Sequence, residues 1–210
     1  MTLSGSPAAS RRRFLTLTGA TLLVAGCTDV LGQKPPQLYM LPSKHTYDTN
    51  LPVVHWQLIV AEPVAPQSLD TARIALSHSP TKLDYFADSA WTDRAPVMIQ
   101  GLIIESFENT GKIVAVGRQD SDLRADFVLQ TELRDFEARY YKGLEQPPEI
   151  YVRFGAKLVK MPDREIIGDT NIVQQVTAAR NDLESIIDAF DDALGSAMKH
   201  MVEWTLRTPR

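Results

Sequence analysis

The sequence predicts an α/β (α+β) fold in which long strands, paired antiparallel, carry two helices. Three observations predict it. Phe127, Leu129, Thr131 and Leu133 alternate with Val128, Gln130, Glu132 and Arg134, and Ile150, Val152, Phe154, Ala156 and Leu158 alternate with Tyr151, Arg153, Gly155 and Lys157. That two-residue period marks half-buried strands. Leu183, Ile186, Ile187, Phe190, Leu194, Ala197, Met198 and Met201 recur at spacings of 3, 1, 3, 4, 3, 1 and 3, one face of an amphipathic helix. Earlier in the chain, Asp93 and Pro96 precede Ile99, Leu102, Ile103 and Phe107, which share a second helical face. A chain of 210 residues suffices for one domain with a buried core.

The elements follow in order. Residues 28–52 read as a linker, with Pro35, Pro36, Pro42 and Pro52 and no sustained periodicity. Val53 to Ala61 is an apolar strand closed by Pro63 and Pro66. Arg73–Ser77 and Lys82–Phe86 make a hairpin across the polar Ser77-His78-Ser79-Pro80-Thr81 turn. Asp93 is placed as the N-cap of the first helix, which Asn109-Thr110-Gly111 stops. Ile113 to Val116 is a short strand, and the strand from Phe127 ends at Arg134. Tyr140 to Glu149, with Gly143 and Pro147-Pro148, is an exposed loop. The turn Met161 to Glu165 returns the Ile150–Leu158 strand into Ile166–Val176, and such tight connections pair strands antiparallel. Asn181 and Glu184 are placed as a capping box for the last helix, which runs about seven turns.

Residues 1–27 read as an address rather than as fold. Ser10-Arg11-Arg12-Arg13-Phe14-Leu15 resembles a twin-arginine export signal and leads into the short apolar run Thr16–Ala25. That run is about half of the ~20 residues a spanning helix needs. Leu23-Val24-Ala25-Gly26-Cys27 resembles a bacterial lipobox, in which the cysteine thiol takes a diacylglycerol. The division expected is therefore a signal peptide over 1–26, a lipidated Cys27 with its linker over 27–52, and a domain over 53–207. One acyl chain binds a bilayer only reversibly, at about 0.8 kcal/mol per buried CH₂, whereas two or three hold it durably. Thr28, where an aspartate would favour the inner membrane, leans toward the outer membrane.

Composition and motifs exclude more chemistry than they offer. The single cysteine excludes an internal disulfide and any multi-cysteine metal site. The net charge is −4, and all three N-terminal arginines precede Cys27, so 19 basic side chains oppose 26 acidic ones from Cys27 onward, a net of −7. Such a chain repels nucleic acid. His45, His55, His78 and His200 form no ligand pair of metal-site spacing, and no Gly-x-Ser-x-Gly elbow or phosphate-binding glycine loop occurs. Gly101 is read as a close-packing position of the first helix on the sheet. Asp191-Asp192 and the Glu105/Glu108 pair read as solvated helix charge. Tyr140-Tyr141 and Trp91 read either as an aromatic binding patch or as a strand end and core edge. No catalytic residue, cofactor or metal ligand is assigned.

Tyr39-Met40-Leu41-Pro42 shortly after Cys27, the strand end Val60-Ala61-Glu62-Pro63, Tyr85-Phe86-Ala87-Asp88-Ser89-Ala90-Trp91 before a Pro-started helix, and Asp126-Phe127-Val128-Leu129 together resemble the ABC-type transport auxiliary lipoprotein family, which includes paraquat-inducible protein C. The resemblance spans residues 27–206. It implies a small mixed, largely antiparallel sheet with two helices packed on it, on the periplasmic side of the envelope and held by acyl chains such as palmitate on Cys27. It implies partnership with an MCE-domain (mammalian cell entry) protein and an ABC permease and ATPase that move phospholipids or other hydrophobic compounds. The lipoprotein would be a docking component without enzyme activity, and some members form homo-oligomeric rings. A spacer over 28–52 would reach at most about 80 Å. The interface expected lies on a sheet edge and the Tyr140–Glu149 loop, with Tyr140, Tyr141 and Leu144 as its candidates. The competing reading is an outer-membrane lipoprotein that activates a cell-wall synthase, which usually needs a longer tether.

Overall fold

A computed structural model describes residues 35–121 and 123–209. Cys27 and the signal expected before it lie outside the described residues. The elements are β1 (Gln37–Tyr39), β2 (Gln57–Val60), β3 (Arg73–Ser79), β4 (Lys82–Trp91), α1 (Ala95–Glu108), β5 (Ala115–Gly117), β6 (Phe127–Arg139), β7 (Glu149–Lys160), β8 (Glu165–Thr177) and α2 (Leu183–Arg207).

The sheet is built around β6. One edge of that strand pairs antiparallel with β7 along its whole length, and β7 pairs antiparallel with β8. The other edge is shared: the first part of β6 pairs parallel with β2, and its last part pairs parallel with β3. The sheet therefore forks, with β2–β5 as one branch and β3–β4–β1 as the other. The fold class predicted from the sequence is the one observed, two helices on a mixed sheet of eight strands.

Both helices cover one face. Ile99, Ile103 and Phe107 of α1 and Ile186, Phe190, Leu194, Met198 and Met201 of α2 are buried with the inward residues of β6 and β7. At the centre, Phe190 meets Phe136 and Trp91 edge-on with ring centroids 4.9 and 5.3 Å away. Such contacts add about 0.5–1.5 kcal/mol per pair to the area buried. Trp91 is thus core, 1% exposed, and no part of an aromatic surface patch.

Several local expectations are corrected. β6 runs on to Arg139 because a bulge between Leu133 and Asp135 shifts the inward phase from Leu133 to Phe136 and Ala138. Asp93 does not cap α1. Its carboxylate accepts only from the adjacent Arg94 N–H, and the Ala95 N–H is satisfied by the Thr71 carbonyl. At α2 the cap is Asp182, one residue past the position expected, accepting from Ser185 N–H at 2.9 Å. Gly101 faces the Arg118 side chain, not the sheet.

The largest correction concerns the linker. β1 pairs parallel with the end of β4, and Leu41, Ser43 and Leu51 are buried. Between them residues 41–51 strap the two helices together. Lys44 N–H donates to Ser106 Oγ, and the Tyr47 hydroxyl donates to the Ser106 carbonyl at 2.6 Å. Burial, foremost, pushes that phenol up to about 12. Asp48 N–H donates to Glu203, while the Asp48 carboxylate faces Arg207 and Lys199 at 3.1 Å each. These two cations hold the Asp48 carboxyl below its usual range. Among the described residues the packed body therefore begins at β1, from Gln37, and not at residue 53.

Candidate functional site

Successive side chains of a strand point to opposite faces. Past the bulge in β6, Phe136, Ala138 and Tyr140 point into the core, and Asp135, Glu137, Arg139 and Tyr141 point away from the helices. Among the described residues no helix covers this second face. It carries a layer of arginine and aromatic side chains lying flat on the strands.

Arg139 is its hub. Its Nε donates to Glu137 Oε1 at 2.7 Å and its Nη2 to Asp135 Oδ1 at 2.9 Å. The guanidinium sits 3.4 Å above the Tyr151 ring centroid and 5.6 Å from that of Tyr141. Burial opposes its charge, but the Glu137 hydrogen bond and the neighbouring negative charges outweigh that and raise its pKa. Asp135 also accepts from Arg153 on β7. On the neighbouring branch Arg73 lies 3.7 Å over the Tyr85 ring. Cation–π contacts of this kind are worth about 0.5–1 kcal/mol when exposed and more when desolvated. Tyr and Arg with few rotatable bonds left free are the residues that dominate protein interfaces.

The layer continues into a shallow groove of about 310 Å³. There Arg134 crosses β7 to reach Asn171 Oδ1 at 2.6 Å while its Nη2 pairs with Glu132 at 2.8 Å. Gly155 makes room for it, since a Cβ there would lie 2.8 Å from Arg134 Nη2. A second groove, about 630 Å³, runs along α2 past Lys199, His200, Glu203 and Arg207. Its charges are engaged with the Asp48 strap.

The three loop residues expected at an interface separate. Tyr140 is a packing residue: it is 9% exposed, its hydroxyl donates to Asn181 Oδ1 at 3.0 Å, and its ring lies against Phe86 and His78. Burial raises its pKa. Tyr141 and Leu144 are 45% and 57% exposed, and Tyr141 adjoins Arg139. Asn181 fixes the loop in this state. It accepts from Tyr140 and donates through Nδ2 to the Leu144 carbonyl at 2.7 Å, a clamp in place of the cap expected of it. Sequence reading missed Arg139, Tyr151 and Arg153. The signal available was the phase change after Leu133, which sends Arg139 outward beside Tyr141.

Among the described residues no cluster of three His, Cys, Asp or Glu side chains is disposed to hold a metal ion, and no helix is long and apolar enough to cross a membrane. Burial first, and the neighbouring Asp192 second, push the Asp191 carboxyl up.

Comparison with known proteins agrees with the fold and the sequence landmarks. The protein bll6063 of Bradyrhizobium diazoefficiens is 25% identical over 197 residues, covering 88% of this chain and 49% of bll6063. The chain thus spans about half the length of the curated relative it matches. The crystal structure of protein XCC0632 from Xanthomonas campestris is similar at a TM-score of 0.77 and 28% identity, over 82% of this chain and 95% of that one. Another crystal structure shares the fold at a TM-score of 0.63 and 11% identity, over 80% of this chain and 97% of that one. The family described as the ABC-type transport auxiliary lipoprotein component matches residues 39–202, from β1 to the last turns of α2. The chain belongs to that family, whose members are lipoprotein components of ABC transport systems.

Proposed function

We propose that this chain is the lipid-anchored, non-catalytic docking component of an MCE-type ABC transport system that moves phospholipids or other hydrophobic compounds across the envelope. Cys27 carries the acyl chains, on the periplasmic side and in the outer membrane, as Thr28 suggests. The domain stands within about 33 Å of chain from that anchor and presents its Arg139–Tyr151–Tyr141 layer to an MCE-domain or permease subunit. The observation that carries the reading is this layer: Arg139 packed on Tyr151, with the exposed Tyr141 beside it, on a domain of the auxiliary family. Tethering raises the local concentration of such a surface near membrane-linked partners without adding any contact.

The test is to purify the tagged full-length lipoprotein from membranes and identify its companions by mass spectrometry, beside Cys27→Ala. Recovery of an MCE-domain protein with an ABC permease and ATPase, reduced in the variant, supports the reading. A cell-wall synthase without transporter subunits would replace it with the competing one. Density-gradient separation of the membranes then assigns Cys27 to the outer or the inner one.

A further inference from the structure

The outer edge of β8 is long and bare. In the β7–β8 ladder the residues from Glu149↔Thr177 to Leu158↔Gly168 keep one register, and beyond it the Ala178 N–H donates to the Pro148 carbonyl. That bond sets the parity of an antiparallel ladder. Thr170, Ile172, Gln174 and Val176 exchange their hydrogen bonds with β7, and Asp169, Asn171, Val173, Gln175 and Thr177 aim N–H and C=O away from it. Among the described residues no strand pairs with these groups. Edge strands normally carry a lysine, proline or bulge that blocks pairing. From Thr170 to Thr177 this one has no charge, no proline and no glycine, and Val173 is 45% exposed at its middle.

We propose that β8 is a self-recognition edge, which pairs antiparallel with β8 of a second copy of this chain about a two-fold axis at Val173. Three observations select a second copy. The register centred on Val173 places Val173 opposite its own mate, Asn171 opposite Gln175, and Asp169 opposite Thr177. It sets an apolar pair, an amide pair and a carboxylate–hydroxyl pair in line, with no like charges facing, and engages every outward group from Asp169 to Thr177 in about ten hydrogen bonds. Of the other free edges, β1 and β5 are 3 residues each, too short to match a strand of 13 residues head to tail. The stretch of β4 that β1 leaves unpaired, residues 82–88, carries Lys82, Asp84 and Asp88 and is interrupted at Asp88, whose φ is +52°. Finally, α2 begins beyond the end of β8 and finishes beside its start, where Trp204 and Thr208 approach Gly168. The two-fold therefore sets the α2 helices antiparallel. Ile167 and Val176 on β8 and Ile187 and Trp204 on α2, left half-buried in one copy, line these elements.

Such a contact closes on itself, so it builds a dimer rather than the ring the family resemblance implies. It does not rest on the transport reading. The test uses purified full-length chains in detergent, with mass measured by sedimentation. Val173→Glu and Val173→Lys each set like charges on the axis. Glu at this position has Arg153 as its cross-strand neighbour, so the fold tolerates it, and unchanged circular dichroism checks this. The wild type is expected to sediment as a two-chain species, either variant alone to associate about tenfold more weakly or worse, and an equal mixture of the two to recover the pair. Val53→Glu, at a residue 60% exposed elsewhere, should leave the pair intact. A single-chain wild type, variants that associate as the wild type does, or a mixture that fails to recover would overturn the proposal.

Discussion

Replacing Asn181 by alanine tests how the exposed loop is held. The change removes two hydrogen bonds at once, Tyr140 Oη to Oδ1 at 3.0 Å and Nδ2 to the Leu144 carbonyl at 2.7 Å. A hydrogen bond contributes about 0.5–1.5 kcal/mol net, and a buried donor left unpaired costs about 1–3 kcal/mol. Tyr140 is 9% exposed, so its hydroxyl falls nearer the second case, whereas the Leu144 carbonyl lies on an exposed loop that water reaches and falls in the first. The sum is about 2–3 kcal/mol. With a urea m-value near 3 kcal/mol/M, at the upper end for small proteins, the midpoint should fall by about 0.7–1 M. Tyr140→Phe removes the hydroxyl without the ring. In a double-mutant cycle the pair should therefore couple by about 1 kcal/mol, because the second change has nothing left to break. Strict additivity, or a midpoint shift below about 0.2 M for Asn181→Ala, would refute the clamp and with it the fixed placement of Tyr141 and Leu144.

Three further outcomes are expected. Phe190→Ala should cost about 3–5 kcal/mol, because it empties the space between Trp91 and Phe136, whereas Phe190→Leu should cost under about 2 kcal/mol; equal losses in thermal melts would contradict the aromatic centre. The Asp48 carboxyl is held low by Arg207 and Lys199, so its contribution is present above the unfolded carboxylate range near pH 4 and is lost as pH falls through the lower folded value. Asp48→Asn should flatten the stability profile below about pH 4 and leave its slope at neutral pH unchanged, as followed by urea midpoints across pH. Tyr141→Ala with Leu144→Ala should leave the melting temperature within about 2 °C of the wild type, these being exposed positions, yet reduce recovery of partner subunits from membranes. Full recovery would remove the loop from the interface.

The parts of this fold legible in the sequence are those whose stability comes from one repeated period. β7, the first part of β6 and α2 each bury one face, so alternation or the 3.6-residue spacing reads directly from Ile150–Leu158, Phe127–Leu133 and Leu183–Met201. The strap over 41–51 has no period to read. Lys44, Tyr47 and Asp48 are anchored singly by tertiary contacts to Ser106, Glu203 and Arg207, far off in the chain, and among prolines they look like a linker. The caps were misplaced for a similar reason: the start of α1 is satisfied by the Thr71 carbonyl rather than by a neighbouring side chain. At the site the error was one of parity. Adjacent residues leaving a strand cannot both face out, and Phe136 and Ala138 already assigned Tyr140 to the core and Tyr141 to the surface. Arg139 was legible on the same count once the phase change at Arg134 was taken as a bulge and not as the end of the strand.

The most direct measurement places a photo-crosslinking amino acid at Tyr141 of the full-length lipoprotein in living cells, with Val114, also exposed at 60%, as the reference position. Cross-linked products are identified by mass spectrometry after membrane extraction. A docking surface built on Arg139, Tyr151 and Tyr141 should yield an MCE-domain protein or ABC permease at position 141 and not at 114. Cross-links from position 141 to a cell-wall synthase alone, or the same products from both positions, would contradict it.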